Sequence, residues 1–288
     1  MKIGAHSWLL ETRYPLAQAM AEARRIGYEG YEVDIGNFGG TGLGLQILPD
    51  RMQYEHREEI RRSAVEADID ISSLCLGALW HYPLASPDET YRKRGVEIVQ
   101  AAIPLARTLG AVCILLPINQ PAGLSDKEAW DTTVRSLAEC LPSAEEADVI
   151  LAVENVCAPF LKGAAELGRL VDKLASPACR VYYDVGNGVW IGLDPVAEIL
   201  ELGDRIAQFH LKNRNSPRGA PGTDTVSVSD PGIVPFERVF DAIQTIGYDG
   251  YLTVEVPTLH KDADKIARDN LSAIRELIDA AKSSGHRR

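Results

Sequence analysis

The sequence predicts an α/β protein, a single (β/α)8 barrel of the TIM-barrel architecture that spans residues 1–288 as one domain. Eight short apolar runs alternate strictly with eight amphipathic segments, which is the pattern of parallel strands separated by helices. Barrels of this kind need about 250 residues, and the chain has 288. The open doubly wound sheet is the alternative, but it carries a glycine-rich fingerprint after its first strand. Here that strand ends His6-Ser7-Trp8-Leu9.

The predicted strands are short runs rich in Val, Ile, Leu and Tyr, which is typical of parallel strands buried on both faces. In chain order they are Lys2–Trp8, Gly30–Gly36, Asp70–Gly77, Ala111–Pro117, Val149–Asn155, Arg180–Asn187, Ile206–Asn213 and Tyr251–Val256.

The segments between the strands carry the boundary signals of helices. Gly27 and Gly110 follow two of them, where a left-handed residue ends a helix. Ser125 and Asp194 precede two others as N-caps. The predicted helices are Pro15–Gly27, Asp50–Ala67, Thr90–Gly110, Ser125–Ala147, Gly163–Ala175, Asp194–Gly203, Pro235–Gly247 and Ala263–Ala280.

Composition and charge exclude several classes of function. The chain has 30 basic and 41 acidic residues, so its net charge of -11 disfavours nonspecific nucleic-acid binding. No apolar run approaches the ~20 residues of a membrane helix, and the first residues do not have the pattern of a signal peptide. The five cysteines are odd in number and show no CxxC spacing, so we expect reduced thiols and a cytoplasmic protein.

Polar side chains close several predicted strands, at the edge where a barrel carries its active site. Glu154, Asp184, His210 and Glu255 end the fifth to eighth strands. Each alone is explained as well by a helix cap or a core hydrogen bond, but together they should converge. Three buried carboxylates repel one another unless a cation lies between them. The donor set predicts one divalent ion, Mn²⁺, Mg²⁺, Co²⁺ or Zn²⁺, and the lack of thiolates argues against structural zinc.

The same segments carry a resemblance to the xylose-isomerase-like TIM-barrel superfamily of sugar isomerases and epimerases. The matching stretches are Val153-Glu154-Asn155, Tyr183-Asp184-Val185-Gly186-Asn187, Phe209-His210-Leu211-Lys212-Asn213 and residues 247–255. Within it, Ser73–Leu76, Tyr82–Ser86 and Leu174–Pro177 most resemble the L-ribulose-5-phosphate (L-xylulose-5-phosphate) 3-epimerases.

This resemblance implies a metal-dependent ketose 3-epimerase, with Mn²⁺ as the expected ion and a homodimer or homotetramer as the expected assembly. Glu154, Asp184, His210 and Glu255 match the metal ligands, and the two glutamates match the proton-transfer pair that acts through an enediolate. Further residues at the strand ends and in the loops that follow them are expected to line the sugar pocket: His6, Trp8, Glu32, Trp80, His81, Asn155, Asn187, Lys212 and Arg214. Lys212 is explained equally well as an ion-pair partner of Asp184 or Glu255.

The substrate is open to several interpretations. Phosphosugar epimerases carry basic residues before the aromatic-Pro element, where this chain has Trp80-His81, so a neutral keto-sugar is favoured. Arg214, Arg218 and the glycine-rich segment 39–44 are the alternative phosphate ligands. Elimination from an inosose or a 3-keto-glycoside, with His81 or Lys212 as the acid, is the rival reaction. An endonuclease-IV-like repair enzyme is disfavoured by the acidic charge and the six histidines, and a barrel that only binds sugar does not need opposed glutamates.

Overall fold

Eight parallel strands form a closed barrel in the computed structural model, which describes residues 1–38, 43–158, 160–220, 224–258 and 262–285. Each strand pairs with the next along the chain, and the last closes the ring by pairing with the first. The strands are β1 (Lys2–His6), β2 (Gly30–Asp34), β3 (Asp70–Cys75), β4 (Cys113–Pro117), β5 (Ile150–Glu154), β6 (Cys179–Asp184), β7 (Ile206–Leu211) and β8 (Tyr251–Val254). The predicted fold and strand order are confirmed.

One long helix follows each strand and packs outside the barrel. These helices are α1 (Leu16–Ile26), α2 (Tyr54–Ala67), α3 (Glu89–Leu109), α4 (Asp126–Ala147), α5 (Ala164–Leu174), α6 (Pro195–Leu202), α7 (Phe236–Thr245) and α8 (Ala263–Gly285). The α7 helix shows the common pattern: its buried face includes Val239, Phe240 and Ile243, and its other face is exposed. The main apolar core therefore lies between the barrel and the helices.

Several strands end earlier than predicted because the chain turns at once into a short helix. Ser7–Leu10 begins directly after β1, and the ring of His6 accepts a hydrogen bond from the backbone of Trp8. Val185–Trp190 begins directly after β6, and the Asp184 carboxylate accepts from the backbone N–H of Asn187 at 2.8 Å. Short 3-10 turns add Pro49–Arg51, Gly77–Trp80 and Gly203–Arg205. The short helices place polar strand-end residues at sharp turns above the barrel.

The long loop after β7 is anchored near the barrel mouth. Asn213–Arg214 pairs antiparallel with Thr225–Val226. Asn213 also accepts from the backbone of Val234 at 3.1 Å, so both ends of the loop are held together. Residues 39–42 of the glycine-rich segment lie outside the described residues, as do residues 221–223.

The barrel interior contains a polar layer in addition to apolar side chains. Gln208 Nε2 lies 2.8 Å from both Ser73 Oγ and Tyr182 Oη, and 3.0 Å from Thr253 Oγ1. All four side chains are fully buried. Because buried polar groups are costly without partners, this connected network is what makes the layer tolerable.

Within the described residues, no helix combines the length and the apolar character that crossing a membrane requires.

The close packing around Gly30, the first residue of β2, can be tested by substitution. A Cβ on Gly30 would lie 2.5 Å from Tyr251 Cε1 and 3.0 Å from Ser72 Cβ, so Gly30→Ala should lower the free energy of unfolding by about 1–3 kcal/mol. Gly168 in α5 is the matched control, because a Cβ there meets nothing closer than 3.8 Å. Gly168→Ala should raise the free energy of unfolding by about 0.5–1 kcal/mol. Urea unfolding checks both, and a Gly30→Ala protein as stable as wild type would contradict the packing.

Candidate active site

Four side chains from adjacent strands meet at the mouth of the barrel. Glu154, Asp184, His210 and Glu255 each offer a ligand atom, and these atoms all lie within 4.8 Å of one another. His210 Nδ1 is 3.5 Å from Glu154 Oε1, 3.5 Å from Glu255 Oε2 and 3.8 Å from Asp184 Oδ2. All four residues are buried. We refer to them as the acidic cluster.

The strand register brings the cluster together. Asp184 and His210 are direct partners across β6 and β7, and His210 is in turn opposite Thr253 of β8. The backbone N–H of Glu255 donates to Leu211 O at 3.1 Å, which continues the pairing just past β8. Parallel strands end at the same edge of a barrel, so side chains at successive ends must converge.

A fourth carboxylate, that of Glu32, orients His210 from the interior of the barrel. Its Nε2 lies 2.6 Å from Glu32 Oε1, so this nitrogen carries the proton of the hydrogen bond. Glu32 also accepts from Ser73 Oγ at 2.5 Å and from Tyr182 Oη at 2.9 Å. Metal-bound imidazoles usually donate their second nitrogen to such a partner. Glu32 therefore leaves Nδ1 directed at the acidic cluster.

The donor set fits a divalent cation. Among the described residues His210 Nδ1 has no hydrogen-bond partner, although it is fully buried and surrounded by three carboxylates. Carboxylate and imidazole donors suit hard and borderline divalent ions. The acidic cluster could therefore hold one such ion.

The electrostatics of the cluster favour a positive charge at its centre. Burial raises the pKa of Glu154 and of Asp184. Burial acts the same way on Glu255, but the charges of Lys212 and His210 outweigh it and hold the pKa of Glu255 below its usual range. Burial opposes protonation of His210, yet nearby carboxylates raise the pKa of its imidazole well above the ordinary value. Without a cation, the cluster thus takes up protons.

Lys212 supplies the one ammonium group in contact with the acidic cluster among the described residues. Its Nζ lies 2.6 Å from Asp184 Oδ2 and forms a close ion pair with Glu255. Burial acts to lower the pKa of Lys212, but the two carboxylates raise it, so the side chain is charged. The structure therefore shows the ion pairing that was one of the two interpretations of this residue.

A pocket of about 250 Å³ opens above the cluster. Its walls include the predicted residues Trp8, Trp80, Asn187, Lys212 and Arg214. Its lining also contains residues that the sequence did not single out as sugar ligands, among them the polar residues Asp34, Asn37, Cys157 and Thr225. Asp34 could have been found, because it lies two residues after Glu32 and side chains two apart on a strand share a face.

Three of the expected sugar ligands lie beneath the pocket instead of lining it. Glu32 is fully buried under His210. His6 lies 3.6 Å from Glu32, and burial lowers the pKa of its imidazole to about 4, so the ring is neutral. Asn155 bonds both backbone groups of Asp184, accepting from its N–H at 2.6 Å and donating to its C=O at 2.9 Å. These side chains face a deeper layer of the barrel, where they support the residues above.

His81 also departs from expectation, since it is exposed and faces Phe38 with ring centroids 6.1 Å apart. It is not part of the pocket lining in the described structure.

The two arginines of the long loop occupy different positions. Arg214 lines the pocket and donates to Thr225 Oγ1 at 2.7 Å and to Asn187 Oδ1 at 3.2 Å. Its guanidinium lies 4.6 Å from the ring centre of Trp190. Arg218 packs on the same indole but is exposed, and it donates to the backbone of Cys157. Of these two arginines, Arg214 lines the pocket above the acidic cluster and Arg218 does not.

The fold and the site together define a TIM-barrel protein with a buried acidic cluster at its carboxyl edge. The family model described as xylose isomerase-like TIM barrel matches residues 20–277. The chain belongs to this family.

Individual relatives narrow the comparison. SgbU of Escherichia coli (strain K12), provisionally named an L-ribulose-5-phosphate 3-epimerase, is 34% identical over 210 residues, covering 70% of this chain and 71% of SgbU. The L-ribulose-5-phosphate 3-epimerase UlaE of Escherichia coli (strain SMS-3-5 / SECEC) is 29% identical over 241 residues, 81% of this chain and 79% of UlaE. The solved structure of an L-ribulose 3-epimerase has a TM-score of 0.79 at 19% identity, covering 99% of this chain and 97% of that one.

The Glu32–His210 contact generates a prediction for cation binding. Glu32→Gln removes the charge behind the imidazole and should weaken binding of Mn²⁺ by about 10–100-fold, because such supporting partners hold the ligand ring and raise its basicity. Titration calorimetry on metal-free protein measures the dissociation constant. Glu11→Gln is the control, since Glu11 accepts from Tyr31 Oη and Gly44 N–H and does not contact the cluster. Equal affinities for wild type and Glu32→Gln would show that His210 needs no such support.

Proposed function

We propose that this protein is a divalent-metal-dependent ketose 3-epimerase. The observation that carries the proposal is the pair Glu154 and Glu255, which come from β5 and β8 and approach the same His210 nitrogen at 3.5 Å. Both line the pocket. The names of SgbU and UlaE, and of the L-ribulose 3-epimerase that shares the fold, support the choice of reaction.

Glu154, Asp184, His210 and Glu255 would hold the cation, one per chain. When bound, a divalent ion supplies Lewis-acid polarisation of the ketose carbonyl and so acidifies the adjacent C–H. The oxygen-rich donor set is consistent with Mn²⁺.

The chain's own carboxylates move the proton. One glutamate removes the proton at C3. The C–H electron pair forms a double bond between C2 and C3, and the carbonyl π pair moves to oxygen, which gives an enediolate. The other glutamate returns a proton to the opposite face of the same carbon, which inverts it with no net change in oxidation state. Two carboxylates from strands three apart in the ring can serve two faces of one carbon, which a single base cannot.

The pocket residues would hold the sugar during this exchange. Arg214 presents a guanidinium to the pocket, and Asn187 lies within hydrogen-bond distance of that guanidinium. Asn187 Nδ2 also lies 3.3 Å from Glu154 Oε1, which links the sugar-binding wall to one of the proton carriers. Lys212 pairs with Glu255 and keeps this carboxylate ionised.

A homodimer or homotetramer and a cytoplasmic location complete the proposal. They rest on membership of the family and on the reduced cysteines expected from the sequence, not on a contact of this chain.

The metal stoichiometry tests the cluster. Protein purified with Mn²⁺ supplied should contain one equivalent by elemental analysis, and Asp184→Ala and His210→Ala should each reduce it severalfold, because each removes one of four donors. His81→Ala is the matched histidine control and should keep the full equivalent, since His81 lies outside the cluster. An unchanged manganese stoichiometry in both cluster variants would contradict the assignment of these residues as metal ligands.

If Glu154 and Glu255 are the proton-transfer pair, each should exchange the C3 proton of a different epimer with solvent. Wild type should incorporate one deuterium at C3 of either epimer in deuterated water. Glu154→Gln and Glu255→Gln should each lose about 10²–10⁴-fold in epimerisation. Each should keep exchange on only one epimer, and the two variants should keep it on opposite ones, as NMR would show. Glu237→Gln, an exposed change on α7, should behave as wild type. Loss of water or of an aglycone during exchange would indicate elimination instead.

A further inference from the structure

The pocket has two chemically different sides. The side built by β5 to β8 carries Glu154, His210, Lys212, Arg214 and Glu255. The side built by β1 to β3 has no basic residue in its described lining, which is Trp8, Asp34, Asn37, Cys75, Gly77 and Trp80. Because β2 lies opposite β6 in the ring of eight strands, this second side faces the acidic cluster, and a ketose whose carbonyl lies at the cluster can direct its other end towards it.

Asp34 is the charged group of this second side. The residue is fully buried, and its Oδ2 accepts from Trp8 Nε1 at 2.9 Å and from Asn37 Nδ2 at 3.0 Å. Its Oδ1 has no hydrogen-bond partner among the described residues. That oxygen lies against the pocket wall at Gly77, where a Cβ would approach it to 2.7 Å. The carboxylate thus keeps an unused, buried acceptor against Gly77, and both residues line the pocket.

We propose that Asp34 is a specificity-determining residue, which makes the enzyme select ketoses with an uncharged, hydroxyl-bearing end over the corresponding terminal phosphates. The inference rests on the proposed function, since it assumes that a ketose binds with its carbonyl at the acidic cluster. It separates the substrate of this chain from the 5-phosphate in the names of SgbU and UlaE.

Charge is the reason for this selection. A phosphate dianion needs several N–H donors or basic side chains. The described lining near Asp34 offers the Trp8 indole and the Asn37 amide, and both already donate to Asp34. Lys212 is paired with Asp184 and Glu255. Arg214 has an Nε without a partner among the described residues, but it belongs to the other side of the pocket, where it donates to Thr225 and Asn187. A hydroxyl, by contrast, can donate to a carboxylate without any cation nearby.

The test compares L-ribulose with L-ribulose 5-phosphate by C3 deuterium exchange and by kcat/KM at pH 8. This pH is chosen because burial raises the pKa of Asp34 to about 7. We expect wild type to prefer the free sugar by at least about tenfold, as one unscreened charge repulsion in a partly buried site would give. Asp34→Asn should lower this ratio of kcat/KM values at least about tenfold through a gain on the phosphate.

Two further variants make the result specific to charge. Trp8→Phe removes the indole N–H whose hydrogen bond to Asp34 lowers the pKa of this carboxyl, so at pH 8 the ratio should move in the same direction as in Asp34→Asn but by less. Trp80→Lys places a cation at an exposed position on the same side, so it should shift the ratio towards the phosphate even if Asp34→Asn does not fold.

The outcomes separate the two proposals. A wild-type preference for the phosphate, or a ratio that folded Asp34→Asn protein leaves unchanged, would overturn the role of Asp34 and leave the epimerase assignment intact. If Asp34→Asn does not fold, a ratio that neither Trp8→Phe nor Trp80→Lys moves does the same. Failure of wild-type protein loaded with Mn²⁺ to exchange the C3 proton of either ketose would instead refute the proposed function.

Discussion

Repulsion among three carboxylates is the constraint on which this site depends. Glu154, Asp184 and Glu255 are buried together at the mouth of one barrel, and Lys212 offsets only part of their charge. The backbone cannot separate them, because each is fixed at the end of a strand in a closed ring of hydrogen bonds. Buried like charges at such distances either take up protons or need a positive charge between them. The barrel therefore maintains a site that a cation would stabilise.

Residues deeper in the barrel hold the side chains of the acidic cluster in position. Glu32 holds the ring of His210, and Glu32 is itself held by Ser73 and Tyr182. Asn155 clamps the backbone of Asp184 through both of its amide atoms. A connected buried network of this kind loses much of its value when one member is removed, so it rigidifies the cluster more than separate contacts would. Orientation of the ligands is thus built into the core of the fold.

The sequence was sufficient for the architecture and for the acidic cluster. Alternating strands and helices predict the barrel, and parallel strand ends must meet, so Glu154, Asp184, His210 and Glu255 could be found from their positions alone. The depth at which each polar side chain lies within the barrel could not be predicted from its position in a strand. Glu32 and Asp34 are two residues apart and share the inward face, yet Glu32 lies under His210 and Asp34 lines the pocket.

Loop geometry was the second feature that could not be predicted from the sequence. His81 was expected in the pocket as one of the two residues before the aromatic-Pro element. It follows the 3-10 turn Gly77–Trp80 and faces Phe38, whereas Trp80 lines the pocket. Cys157 reaches the pocket from an irregular segment, and Thr225 reaches it from a two-residue strand that is too short to show a periodicity.

Anomalous diffraction from crystals grown with Mn²⁺ tests the central claim most directly. We predict a single strong anomalous peak per chain, bounded by Glu154, Asp184, His210 and Glu255, with His210 coordinating through Nδ1 and Nε2 still bonded to Glu32. An empty cluster whose carboxylates remain neutralised by Lys212 and a protonated His210, or a peak elsewhere in the barrel, would contradict the account.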